Sequence, residues 1–141
     1  MTMPKHSIRK MKAADLEIVY CWRTHPSISS YMFSDGPKNI KEHKEWFRCA
    51  SKNPNVDLFV YEFNERPTGF VKIIRQNCPS VAEWGFFLAP EQERPRGLEF
   101  GKFAVDYLFN VSGLRKISAQ VLEKNLRSLR FHKSLGFNEV S

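Results

Sequence analysis

The stretch that most constrains this chain is the run from Glu83 to Phe137, which reads in order as strand, basic turn, helix, strand and helix. Trp84 to Leu88 alternates aromatic and aliphatic residues and stops at Ala89-Pro90, where a charged turn begins. From Gly97 onward Phe100, Phe103, Ala104, Tyr107, Leu108 and Val111 recur at three- and four-residue spacing, which predicts a helix that buries one face. A strand thus feeds a helix N-terminus. Unpaired amides at such an end, with the macrodipole and with Arg94 and Arg96 beside them, suit a phosphate group, although an ordinary solvated turn has the same makeup. Lys116 to Leu122 is a β-rich run. After it, Asn125 begins a predicted amphipathic helix that ends at Gly136, a left-handed cap followed by apolar Phe137.

The last helix carries the pattern Asn125-x-x-Ser128-x-x-x-His132-x-x-x-Gly136-Phe137. Asn125 and His132 are about two helical turns apart and share one side. On these residues the chain resembles the Gcn5-related N-acetyltransferase (GNAT) family, whose coenzyme A signature is Q/R-x-x-G-x-G/A at the phosphate turn and N-x-x-A/S-x-x-x-Y-x-x-x-G-F on the following helix. The phosphate turn matches as Gln92-x-x-Pro95-x-Gly97. Pro95 in place of the family's first glycine removes one N–H donor but presets a helical first-turn dihedral. The shifted register Arg94-x-x-Gly97-x-Glu99 would set a carboxylate against the phosphates. His132 stands where the family has tyrosine, which leaves the general acid open.

The rest of the chain fits the element order the resemblance implies. His6 to Met11 reads as a first strand and Ala13 to Trp22 as a helix capped near Asp15. Asn39 to Ser51 reads as an amphipathic helix with Ile40, His43, Trp46, Phe47 and Ala50 along one stripe. Leu58 to Phe63, a turn at Asn64 to Pro67, and Thr68 to Arg75 form a predicted antiparallel hairpin. The fold class is α+β, a GNAT-type fold with a mixed, mostly antiparallel central sheet flanked by helices. Splaying of the fourth and fifth strands, with the pantetheine arm between them, is implied by the resemblance. With 141 residues the chain is expected to be one domain, 1–141, able to bury its own core.

Composition narrows the class of partner. No apolar stretch approaches the roughly 20 residues needed to span a bilayer, and the basic N-terminus lacks an apolar signal core, so a cytoplasmic protein is expected. Cys21, Cys49 and Cys78 have neither disulfide-framework nor zinc spacing, and no metal is expected. The net charge of +7 asks for an acidic partner. The basic residues are scattered and no nucleic-acid-reading motif is present, so a polyanionic small molecule such as acetyl-CoA, the implied co-substrate, serves as well.

Acetyl transfer to an amine needs a held thioester, a neutral amine, donors for a developing oxyanion and a proton for the departing thiolate. The resemblance implies that Gln92, Arg94, Pro95, Arg96 and Gly97 hold the cofactor phosphates, with Asn125 and Ser128 along its arm. It also implies that backbone N–H groups around Phe87 and Leu88 meet the oxyanion. Glu83, the only acid in its strand, either accepts the amine proton or faces solvent; a carboxylate near apolar groups can have its pKa raised. His132 either donates the last proton as an imidazolium or is a core histidine. Asn125 also suits a helix N-cap. The W-R-T-H-P run from Trp22, Glu42-His43, Glu83-Trp84-Gly85 and the S-x-x-x-H-K-S-L-G-F ending further resemble the branch that acetylates nucleotide-linked amino sugars, including the pseudaminic-acid pathway type. Arg23, His25, Met32, Phe33, His43 and Trp84 are the acceptor-binding candidates that follow.

Alternatives on the same fold are a protein N-terminal or ribosomal-protein acetyltransferase and a non-catalytic acyl-CoA or nucleic-acid binder. Only four residues follow Phe137, so the sheet is expected to end in a short edge open to self-association as a homodimer. A shortened form of a longer protein is the alternative.

Overall fold

A computed structural model describes residues 4–29, 36–90 and 97–140. Five strands form one sheet in the order β1-β2-β3-β4-β5. They are β1 (His6–Lys10), β2 (Val56–Phe63), β3 (Arg66–Arg75), β4 (Val81–Leu88) and β5 (Lys116–Ser118). The first four pair antiparallel and β5 lies parallel to β4. The helices are α1 (Leu16–Thr24), the short α2 (Pro26–Ser29), α3 (Ile40–Lys52), α4 (Gly97–Asn110) and α5 (Leu126–Ser134).

Strand alternation divides the core in two. On one face Leu58, Val60, Phe70 and Phe87 pack against Val19, Trp22 and Ile28 from α1 and α2, with Trp46 of α3 against them. On the other, Val71, Ile73, Ala82 and Trp84 pack against Phe100, Ala104 and Leu108 of α4, with Phe131 of α5 beside them. The hairpin turns through Asn64 and Glu65 at φ +52° and +67°, the left-handed pair that a two-residue turn between twisted strands requires. Where α4 and α5 cross, Gly101 is essential to the approach: a Cβ there would lie 2.6 Å from Phe131 Cζ and 2.9 Å from Leu135 Cδ1.

Two sequence expectations shift. Asp15 precedes α1 but does not cap it with its side chain. Its carboxylate reaches back to the Lys12 N–H at 2.8 Å and takes both Arg9 Nη atoms at 2.7 and 2.9 Å, tying β1 to a 3-10 turn over Ala13–Asp15. The fifth strand is shorter than the β-rich run suggested, because pairing with β4 stops at Glu83↔Ser118. Residues 119–122 have no ladder partner and continue as an irregular segment.

Candidate active site

The early end of β4–β5 pairing creates the site. Beyond Glu83, β4 runs on through Trp84, Gly85, Phe86, Phe87 and Leu88 without β5 at its side. The cleft so opened has a volume of about 710 Å³ and is walled by β4, by the segment Ala119 to Leu122, and by α5. That volume lies within the range of small-molecule sites.

The direction of the β4 backbone follows from one hydrogen bond. Ala89 N–H donates to Thr68 O on the β3 side at 2.7 Å. Successive N–H groups of a strand point to opposite edges, so Phe87 N–H also faces β3, whereas Phe86 and Leu88 N–H face the edge that β5 has left. The Phe87 carbonyl oxygen agrees, lying 3.1 Å from where a Cβ on Gly69 of β3 would stand. Of the two residues read from the sequence for the oxyanion, both line the cleft, with the Leu88 N–H directed to its open edge and the Phe87 N–H directed to β3. The Phe86 N–H, which the sequence reading passed over, is directed to the same open edge as that of Leu88. Phe87 instead stacks its ring on Phe70 at 5.1 Å between centroids.

The α5 wall is a closed hydrogen-bond system. Asn125 Oδ1 accepts from Ser128 N–H at 3.1 Å and caps the helix. At the other end Gly136 sits at φ +94°, Gly136 N–H donates to Lys133 O and Phe137 N–H donates to His132 O, which together make a Schellman cap. The cap brings the Phe137 ring flat against Trp84, at 5.9 Å and 13°. His132 is buried edge-on to both rings. The indole of Trp84 can only donate, so Trp84 Nε1–H donates to His132 Nε2 at 3.1 Å. His132 Nδ1 therefore carries the hydrogen and donates to Ser128 O at 2.8 Å. Burial pushes the imidazole below its usual range, against the opposing pull of that carbonyl. The ring is neutral. The expected imidazolium donor finds no support here, because a proton on Nε2 would oppose two N–H groups. Trp84, an acceptor-binding candidate, lies on the α4–α5 face of the sheet and holds His132.

The opposite face carries charge. Lys72 of β3 stands across from Gly85, and its stem runs past the space a side chain there would fill, with Cε 3.9 Å from the ideal Cβ. Lys72, Glu83 and His25 all line the cleft. Gln120 Nε2 donates to Glu83 Oε2 at 3.3 Å. His25 Nδ1 accepts from Ser27 N–H at 3.1 Å at the start of α2. Behind Lys72, Arg23 lies over the Trp46 ring at 4.3 Å and donates from Nη1 to His43 Nδ1 at 3.1 Å. Arginine has no acceptor, so His43 is also neutral, with Nε2–H donating to Leu16 O at 2.9 Å. His43 is completely buried with both nitrogens engaged, so it positions Arg23 and does not meet a substrate. Burial lowers the Lys72 ammonium and the nearby Arg23 charge lowers it further, while Glu83 raises it.

Among the sequence candidates, Glu83, Trp84, His25, Phe87, Leu88, Gly97, Asn125, Ser128 and His132 converge on the cleft. Arg23 is held on His43 and Trp46 and is not among the residues that line it. Met32, Phe33, Gln92, Arg94, Pro95 and Arg96 lie outside the described residues. Lys72 was missed because a lone lysine in a strand reads as a solvent-facing residue. Its only sequence signal is its position between Val71 and Ile73, two buried residues of the opposite face.

A five-stranded sheet whose last two strands part around an open cleft is the architecture that the resemblance to the GNAT acetyltransferases implied. The chain belongs to the acetyltransferase (GNAT) domain family, whose sequence profile matches residues 7–138. Its relatives include spermidine N(1)-acetyltransferase of Escherichia coli K12, 25% identical, with 94% of this chain and 74% of the relative covered. The uncharacterised protein MJ1062 of Methanocaldococcus jannaschii is 28% identical over 94% of this chain, which spans only 28% of that relative's length. Among solved structures, the Vibrio cholerae spermidine N-acetyltransferase in complex with CoA and spermine superimposes with a TM-score of 0.85 at 24% identity, covering 96% of this chain and 82% of that one. The aminoglycoside acetyltransferase AAC(6')-Ib in complex with coenzyme A gives 0.81 at 19% identity, covering 97% and 86%. At these identities both structures speak to the fold.

Proposed function

We propose that this chain transfers the acetyl group of acetyl-CoA to a primary amine in the cleft between β4 and β5. The observation that carries this is the free β4 edge, which presents Phe86 and Leu88 N–H to the space β5 leaves open. In the transfer the amine nitrogen bonds to the acetyl carbon, the thioester C–S bond breaks with its electron pair on sulfur, and the nitrogen releases one proton. Leu88 N–H stabilises charge on the carbonyl oxygen. Glu83, on the cleft wall, accepts the amine proton directly or through water. His132 fixes the wall against which the donor arm lies, and a thiol pKa of about 8.5 lets the thiolate leave without full protonation. Asn125 and Ser128 border the arm. Gln92, Arg94, Pro95 and Arg96, the phosphate-binding candidates of the sequence, immediately precede Gly97 at the start of α4, whose first amides complete a phosphate site. Calorimetry with acetyl-CoA tests this placement: Arg96→Glu weakens binding by about 1.5–3 kcal/mol per charge-assisted hydrogen bond removed. Unchanged affinity would move the phosphates elsewhere.

For the acceptor we favour a nucleotide-linked amino sugar, of the pseudaminic-acid pathway type, acetylated in the cytoplasm. Lys72 and Arg127 line the cleft, while Glu83 is the only carboxylate among its described lining residues. A polyamine would ask for the reverse balance. The polyamine reading stands second because the spermidine N(1)-acetyltransferases are relatives. Release of thiol from acetyl-CoA with a UDP-linked amino sugar, spermidine, an aminoglycoside and a free peptide N-terminus as acceptors decides among them. Spermidine as the best acceptor would overturn our choice, and no release with any amine would leave a binding module. Single-domain organisation over 1–141 and homodimer formation through the C-terminal edge, where residues 137–140 form no strand and β5 is the outer strand, complete the proposal. Light scattering at high micromolar concentration checks the dimer.

A further inference from the structure

Lys72 and Arg23 make an unusual pair. Both are partly buried on the α1–α3 side of the sheet, and each is desolvated enough to be pushed below its ordinary range. Neither has an ion pair within 4 Å among the described residues, although Arg9, Arg75 and Lys10 on the same sheet all have one. The partners of Arg23 are a neutral imidazole and an indole face. The opposing charge felt by Lys72 is that of Glu83, diagonal to it across the β3–β4 ladder at the cleft wall, and Arg23 works against it. Two cations partly removed from water, the charge of one acting on the other, are costly unless an anion joins them. The Lys72 stem crosses beside Gly85 on the cleft wall, and completely buried His43 is held in the tautomer that accepts from Arg23.

We propose that Lys72, backed by Arg23, is a specificity-determining residue that reads a negatively charged group on the acceptor, so that the cleft takes amines bearing a phosphate or carboxylate and disfavours polycations. The inference rests on the acetyl-transfer reading above and deepens it by naming the charge class of its acceptor. Lysine suits this role because its ammonium acts as a point charge with three donors and tolerates different anion geometries. Lys72 lies on the cleft wall with Glu83, so an anion at Lys72 sets the rest of the acceptor beside the proposed proton acceptor.

The test is calorimetric and does not depend on turnover. The protein is saturated with CoA, so that its phosphate site is filled, and titrated with UDP, with malonate and with spermidine. UDP is expected to bind wild type and Lys72→Arg, and to bind Lys72→Met at least tenfold more weakly, with CoA affinity the same in all three. Binding of malonate in place of UDP would mark a carboxylate acceptor and binding of UDP alone a phosphate-bearing one; either supports the inference if Lys72→Met abolishes it. Equal UDP and malonate affinities in wild type and Lys72→Met, or tighter binding of spermidine than of both anions, would overturn it. Failure of CoA itself to bind would instead strike the acetyl-transfer reading. The same titrations on the free protein would then still decide the role of Lys72.

Discussion

Two buried neutral histidines stand on opposite faces of the same sheet, and the comparison between them separates the two halves of the site. His132 and His43 each donate one ring N–H to a main-chain carbonyl and accept at the other nitrogen from a side-chain donor. The donor to His132 is the neutral indole of Trp84, and that network ends in packing: Phe137 covers Trp84, and helix α5 is capped at both ends. The donor to His43 is the cation Arg23, which places charge beside Lys72. The same hydrogen-bond chemistry therefore yields a saturated wall on the α5 side and an unbalanced charge on the α1–α3 side. A saturated wall gives shape to whatever lies against it. An unbalanced one asks for a ligand of opposite sign.

Removing Trp84 breaks the saturated side most severely. Trp84→Ala deletes a buried indole and leaves His132 Nε2 without its donor, and a loss of about 3–5 kcal/mol is expected in denaturant unfolding. Trp84→Phe keeps most of the packing and removes only the N–H, for which about 1–3 kcal/mol is expected. If the two variants were equally stable, the hydrogen bond and not the packing would dominate.

Gly101 tests how tightly that wall is set. A methyl group at this position meets the Phe131 ring and the Leu135 side chain well inside contact distance. Gly101→Ala is expected to gain helix propensity yet lose about 1–3 kcal/mol net through overpacking. A stabilised variant, measured by the same unfolding curves, would mean that α5 moves aside freely.

The fold was legible because its signals are local and redundant. The apolar period of α4, the Asn125 cap and the Gly136-Phe137 ending each mark a boundary that the structure keeps within a residue or two. The site was legible only as a set of positions on the correct strand and helix. Side-chain roles depended on partners distant in sequence: His132 on Trp84, His43 on Arg23, and the orientation of Leu88 on Thr68. A sequence pattern places a histidine on a helix face but cannot say which of its nitrogens is already taken. Lys72 was hidden for the same reason, since a lysine in a strand reads as surface until its neighbours are known. The early end of β5 was hidden because the β-rich run over Ala119 to Leu122 carries strand propensity with no strand to pair with.

The histidines also give the comparison a pH axis. Burial is the first cause that holds both below the usual imidazole range, and Arg23 adds to it at His43. Their folded values are lower than the unfolded value of about 6.5, so between the two the unfolded chain binds more protons than the folded one. Their stabilising contribution is complete above about pH 6.5 and falls as pH drops from there towards the folded values. Unfolding free energy measured between pH 7.5 and 5 should therefore decline with acid, and His132→Gln should reduce the slope by removing one such group. A slope unchanged in His132→Gln would assign the effect to His43 and the carboxylates, of which Asp15 is held low by its Arg9 hydrogen bonds and loses its contribution only at more acid pH.

The smallest effect is expected at Asn125, where the saturated wall keeps one spare donor. Its carboxamide oxygen is taken by Ser128 N–H, but its NH2 group has no hydrogen-bond partner among the described residues, and the residue lines the cleft. Asn125→Ala removes the cap as well as this donor, and should cost about 0.5–2 kcal/mol of stability along with some acetyl-CoA affinity. Asn125→Asp preserves a capping oxygen at a helix N-terminus that favours negative charge, so stability should return to within a few tenths of a kcal/mol of wild type. The aspartate cannot donate. If the NH2 group bonds the donor arm, Asn125→Asp will therefore keep its stability and still bind acetyl-CoA more weakly, by about the 0.5–1.5 kcal/mol of one neutral hydrogen bond. Recovery of both stability and affinity in Asn125→Asp would reduce Asn125 to a helix cap and leave the α5 wall with no polar group free to meet a ligand at that position.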